Sequence, residues 1–182
     1  APAALTAQAW WDGGWRDLPS RRNEFDDDQR WPLDVQLAGP LGPLRQQLES
    51  QGWHVQPQAG WEQALLMLDK SAAPEEVPVL PATLDTQVES LLMIRAGDAP
   101  YEIYALRLWP APAELMPGKQ PLWLGSAQTL RYQQHFNLIG MWHPMRGTDP
   151  SLKGVWGALE GLPHAVDQHP ESKTPVLRVR TD

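Results

Sequence analysis

Apolar and polar positions change period several times along this chain, and each change marks a predicted element. Residues 34–38 (D-V-Q-L-A) alternate polar with apolar, the two-residue repeat of a half-buried strand. Gly39-Pro40 breaks that run, and Pro43 suits the first turn of a helix. Leu44 and Leu48 follow at i, i+4, and Gly52 suits the position that ends such a helix. Residues 53–56 alternate again as a short strand. A second helix is expected over residues 61–70, where Trp61, Ala64, Leu65 and Leu68 form one apolar stripe.

Beyond residue 80 the pattern turns to strands. Residues 74–81 are proline-rich and read as a loop. Residues 90–96 and 101–109 read as strands on either side of Gly97-Asp98-Ala99-Pro100, a hairpin turn. Pro110, Pro112 and Pro117-Gly118 are expected to form a surface loop, since each proline removes a backbone donor. Residues 121–130 and 132–144 are two further extended segments. Residues 151–162 suit a helix with Ser151 as N-cap, weakened by Gly154 and Gly157. Residues 175–180 close the chain as an edge strand. Helices fall mostly before residue 80 and strands after it. That segregation predicts an α+β fold: a mostly antiparallel sheet with two or three helices packed on one face.

Composition adds limits. The 182 residues suit one domain, and 42% hydrophobic with 20% charged residues argues against disorder of the whole. Ten tryptophans imply an indole-rich core or an aromatic binding face. Trp53, Trp61, Trp109 and Trp123 fall within elements and suit a core; Trp10, Trp11, Trp15 and Trp142 suit an interfacial surface. Residues 1–30 read as a lead-in or tether, an irregular or partly helical arm anchored by its tryptophans, with Asp26, Asp27 and Asp28 as a solvated charge run. Residues 31–182 form the domain proper. A net charge of −7 argues against an extended nucleic-acid surface, and the absence of cysteine excludes disulfides and thiolate chemistry. No apolar run approaches the roughly 18 residues that span a bilayer.

Candidate chemistry is sparse. Ser126 lies in L-G-S-A-Q, but Gln128 stands where a hydrolase elbow needs a small residue. His164, Asp167 and His169 form H-x-x-D-x-H, ligand types that zinc uses, in a polar loop bracketed by Pro163 and Pro170 and without supporting partners; they are weak metal candidates. His135 and His143 are placed to approach across a hairpin, although one surface and one buried histidine is the commoner outcome. Asp26 and Asp28 lack the glycine and terminal glutamate of a calcium loop. Arg107 sits between Leu106 and Leu108 and faces away from them, toward Trp123 on a neighbouring strand, where a guanidinium stacks on indole or clamps an anion. Arg107, Trp109, Trp123 and Arg131 are accordingly the candidate ligand-binding residues. No cofactor and no catalytic residue is indicated.

Several of these words recur in a known order. Residues 31–39 (W-P-L-D-V-Q-L-A-G), L-x-x-L at Leu41 to Leu44, Gly52-Trp53, L-R-L-W at residues 106–109 and P-L-W-L-G-S at residues 121–126 resemble the LssY C-terminal domain family over roughly residues 31–135. Residues 10–22, W-W…W-x-x-L-P-x-R-R, resemble the tether that precedes such a domain. The resemblance implies a bacterial parent with a DedA-type (SNARE-associated) region, a type 2 phosphatidic-acid phosphatase region, or both. It implies context rather than a reaction, and residues 133–145 depart from the family pattern. That phosphatase needs a Lys/Arg-rich motif, Ser-Gly-His and a later Arg…His…Asp set, none of which occurs here. The expected function is a non-catalytic accessory domain held at the cell membrane through its parent, with the parent's membrane portion or a lipid headgroup as partner. A small-molecule or glycan module using Trp and Arg on strands is the alternative, and a hydrolase is a distant third.

Overall fold

The computed structural model describes residues 3–23, 30–57, 61–69, 71–135, 138–145 and 150–182. Asp26, Asp27, Asp28 and the side chain of Trp61 lie outside the described residues. The chain opens with β1 (Ala3–Thr6), α1 (Ala7–Asp12) and a 3-10 turn (Gly14–Asp17). Next come β2 (Arg21–Asn23), β3 (Arg30–Pro32), β4 (Val35–Ala38), α2 (Leu41–Ser50), β5 (His54–Val55) and α3 (Trp61–Leu65). Two short strands, β6 (Thr83–Leu84) and β7 (Gln87–Val88), precede β8 (Leu91–Ala96) and the two longest, β9 (Glu102–Met116) and β10 (Gln120–His135). The remainder is β11 (Ile139–Pro144), α4 (Pro150–Trp156), β12 (His164–Gln168) and β13 (Pro175–Arg180).

The β9–β10 hairpin is the spine of a nine-stranded sheet ordered β12-β13-β4-β10-β9-β8-β5. Each long strand serves two partners in succession along its outer edge. β9 pairs with β8 over Ile103 to Leu108 and then with β1 over Ala113 to Met116. β10 pairs with β4 over Leu122 to Gly125 and then with β11 over Leu130 to His135. β1 on β9 and β13 on β4 run parallel, and the other pairs are antiparallel.

This corrects the expected class. The protein is mostly β, 44% strand against 23% helix, with a mixed sheet and four short α-helices among the described residues, rather than an antiparallel sheet with helices on one face. α2 and α4 cover one face, where Leu44, Leu48, Leu152 and Val155 pack on Val35, Leu37, Met93, Leu106, Leu108 and Leu177. Each leucine buried there contributes roughly 1.5–3 kcal/mol. The opposite face is covered by the lead-in. Trp10 of α1 and Trp15 of the 3-10 turn pack on Trp109, Leu115, Leu122, Leu124 and Val176. Further along that same face, Val77 and Val79 cover Leu92, Ile94, Ala105 and Trp142.

Covering both faces explains why β4 is buried at every position despite its alternating sequence. Gln36 points into the arm, not into water: its Oε1 accepts from Trp10 Nε1 at 2.8 Å and its Nε2 donates to the Trp15 carbonyl at 3.0 Å. Trp10, Trp15 and Trp142 are therefore core residues rather than an interfacial surface, because each indole has a strand to lie on. Gly39, at φ +109°, lets the chain turn out of β4 where a side chain would strike the backbone of Asp182.

Several local expectations need correction. Pro110 and Pro112 sit inside β9, not in a loop. They fall where β9 has left β8 and not yet met β1, and where its register on β10 slips, so little ladder bonding is lost. β10 is continuous across residue 131. The second helix stops at Leu65 and continues as a 3-10 turn over Leu66–Leu68, leaving Leu65 53% and Leu68 60% exposed rather than in a core stripe. Ser151 lies within α4, which begins at Pro150. The stretch 163–170 contains strand β12, so β13 is interior and β12 is the edge.

Candidate functional site

A broad concavity lies on the arm face. A cleft of about 770 Å³ lies between Arg21 and Arg22 of β2 and the β6–β7 hairpin, with Pro110, Ala111, Pro112 and Leu124 among its lining residues. The hairpin turns through Asp85 and Thr86, both at positive φ (48° and 70°). Two left-handed residues in succession are the geometry of a tight hairpin turn, normally filled by Asn-Gly. A β-branched threonine there is strained by roughly 1–3 kcal/mol, and such strain gathers at functional sites.

The base of this hairpin is tied down from beneath. Glu89 Oε2 accepts from the Ala82 amide at 2.9 Å, and Glu89 Oε1 accepts from Arg107 Nη1 at 2.7 Å. Both side chains of that ion pair are 5% exposed. Trp109 Nε1 donates to the Ala82 carbonyl at 3.3 Å, and the Arg22 guanidinium lies 5.4 Å over the Trp109 ring. Arg107 and Trp109 thus support one wall of the cleft without lining it.

The four candidate residues do not converge. Arg107 pairs in register with Ser126 and Trp109 with Leu124, placing all four on the arm face. Trp123 pairs with Pro110 and Arg131 with Glu102, on the helix face. Trp123 packs against the helix-face core and donates from Nε1 to the Gly39 carbonyl at 3.0 Å, so it never meets Arg107. Arg131 lies further along β10, held by Glu102 at 2.6 Å.

Ser126 is buried in mid-strand, with no strand-to-helix elbow around it. Its Oγ and the nearby Gln128 Nε2 are buried without a hydrogen-bond partner. The H-x-x-D-x-H residues separate. His164 Nδ1 bonds the Leu162 carbonyl, Asp167 pairs with Arg178 at 2.5 Å, and His169 is buried with Nε2 on the Arg16 carbonyl. Among the described residues no group of three His, Cys, Asp or Glu is placed to hold a metal ion. His135 and His143, by contrast, do meet: their Nε2 atoms are 2.6 Å apart.

Three buried polar residues carried no sequence signal of their role. Glu89 sits at a loop end and Arg22 in a charged stretch. Arg178 alternates with Leu177 and Val179 as if facing water, yet its guanidinium lies 5.0 Å over Trp11 and 4.7 Å over Trp15. Burial pulls that guanidinium below its ordinary pKa; Asp167 opposes the shift and Arg16 adds to it.

The fold and this surface define a mixed-sheet domain with a polar-walled cleft on one face. A family model described as LssY C-terminus matches residues 15–139, and the chain belongs to that family. The match reaches back to Trp15, in keeping with that residue's place in the core. No curated protein and no solved structure matches the chain significantly.

Proposed function

We propose that this is a non-catalytic accessory domain of a bacterial membrane protein of the DedA or type 2 phosphatidic-acid phosphatase kind, and that its cleft takes a phosphate-bearing lipid headgroup. The observation that carries the reading is the cleft itself. It offers the exposed guanidinium of Arg21 beside a strained polar turn at Asp85-Thr86, while buried Arg22, stacked on Trp109, and the Glu89–Arg107 pair brace the wall. Guanidinium groups beside backbone turns suit phosphate oxygens. The net charge of −7 opposes general adsorption to anionic lipid, so binding has to come from this local geometry. No helix among the described residues is long and apolar enough to cross a membrane.

The test is co-sedimentation with phosphatidylcholine vesicles with and without phosphatidic acid, for the wild type and Arg21→Glu. Retention only on phosphatidic-acid vesicles, reduced at least fivefold by the substitution, is the expected result. Equal retention by both proteins, or none, rejects the reading. Deleting residues 31–182 from the parent should also alter its activity or stability.

A further inference from the structure

At the end of the spine away from the β9–β10 turn, β10 and β11 carry a second cluster. In register Arg131 faces His143, Gln133 faces Met141 and His135 faces Ile139, so His135, Met141 and His143 share one side of this two-stranded ribbon. The two imidazoles lean toward each other across the intervening pair, with ring centroids 4.5 Å apart and planes at 70°. Their Nε2 atoms meet at 2.6 Å. Both rings are half-buried.

We propose that His135 and His143 form a two-imidazole site for a borderline divalent transition cation, Zn(II) or Cu(II). The two Nε2 atoms face each other at hydrogen-bond distance, so one of them must carry the proton that it donates to the other. A cation bound by both at about 2.0–2.1 Å sits between them once the nitrogens separate to roughly 3.3 Å, the tetrahedral spacing for such bonds. The separation is an opening of under ~1 Å from the present geometry. Proton bookkeeping is simple. In the neutral pair one ring carries its proton on Nε2 and donates it to the other. Moving that proton to Nδ1 through solvent frees both lone pairs with no net proton release.

The chemistry of the surroundings favours a borderline ion. Imidazole selects Zn, Cu and Ni over Mg and Ca, and Met141 places a polarisable thioether on the same side. Arg131 stands opposite His143, but Glu102 binds its guanidinium and balances its charge. With only two protein nitrogens, the remaining positions belong to water or an incoming ligand, which makes the site open rather than structural. The other described histidines offer no equivalent: His164 and His169 bond backbone carbonyls, and His54 stands alone on β5.

The test is isothermal titration of the metal-stripped chain with ZnCl₂ and with CuCl₂. The variants are His135→Asn, His143→Asn, the double substitution and His164→Asn as a control. One ion per chain is expected, with at least tenfold weaker binding in each single variant, none in the double and no change in the control. X-ray absorption of the zinc-loaded wild type should show two imidazole nitrogens. Absence of saturable binding, or binding that survives the double substitution, overturns the proposal. An unchanged thermal midpoint in EDTA establishes that each variant is folded. His143→Gln replaces any variant that is not, and wild-type affinity in that protein counts against the site.

Discussion

The two faces of the central sheet bury similar strands by different means. The helix face is closed mostly by Leu, Val and Ala, with Met93, Trp53 and Tyr104 among them, against α2 and α4, a surface governed chiefly by shape and volume. The arm face mixes tryptophan with Arg22, Gln36, Arg107, Ser126, Gln128 and Arg178, all buried. Most of those polar groups are held by specific partners, and an unsatisfied one, as at Ser126 and Gln128, costs about 1–3 kcal/mol. The helix face is therefore tolerant and strong, whereas the arm face is exacting. The cleft and its strained turn lie on the exacting side.

Substitutions can break that contrast, beginning with the largest effect. Arg107→Met leaves Glu89 buried without its cation and should destabilise by roughly 3–5 kcal/mol. Adding Glu89→Gln should restore most of the loss, read as the recovery of the denaturant midpoint. Leu106→Ala, next along β9 but on the helix face, should cost about 3 kcal/mol from lost burial and cavity alone. No polar second-site change should rescue it. A rescue there, or none for Arg107, erases the distinction between the faces.

Ser126→Ala should do the opposite and stabilise by about 1 kcal/mol, because it removes a buried hydroxyl that has no partner. A loss of that size instead means that the hydroxyl is used. The smallest effect is at Asp182, whose carboxylate meets Arg180 through two 3.0 Å bonds. That hydrogen bonding holds the Asp182 pKa below its usual value. Its contribution is present above about pH 4 and is lost as the pH falls through the lowered folded value. Asp182→Asn should cost under ~1 kcal/mol at neutral pH and flatten the acid limb of the stability curve.

Local patterns were legible wherever a period and its punctuation agreed. Residues 34–38, the helix carrying Leu44 and Leu48, and the turn after Ala96 all fall where alternation, i,i+4 spacing and Gly or Pro placed them. What failed depended on partners distant in sequence. Pro110 and Pro112 look like breakers until the change of neighbour along β9 is known. The exposed Leu65 and Leu68 looked like a core stripe because periodicity does not reveal that the helix ends after one turn and a half. The candidate residues split between faces for the same reason. Arg107 and Trp109 share a side by parity, but only the pairing of Arg107 with Ser126 shows that Trp123 lies on the other. Of the cleft, Arg107 and Trp109 stood out in the sequence as ligand-binding candidates, whereas they lie behind its wall, and Glu89 and Arg22 carried no sign of their role.

The doubled use of β9 and β10 also sets an order of events in time. Their hairpin closes across the short turn between Met116 and Gln120, while β1 joins β9 from 110 residues away and β13 joins β4 from 142. Chain entropy makes the near pairing fast and the far ones late. Amide hydrogens in the middle of β9 and β10 should therefore exchange slowest, and those of the peripheral strand β1 soonest, since segments open in cooperative units of unequal stability. The tryptophan arm rests on that spine, so amides of α1 should exchange before those in the middle of β9 and β10.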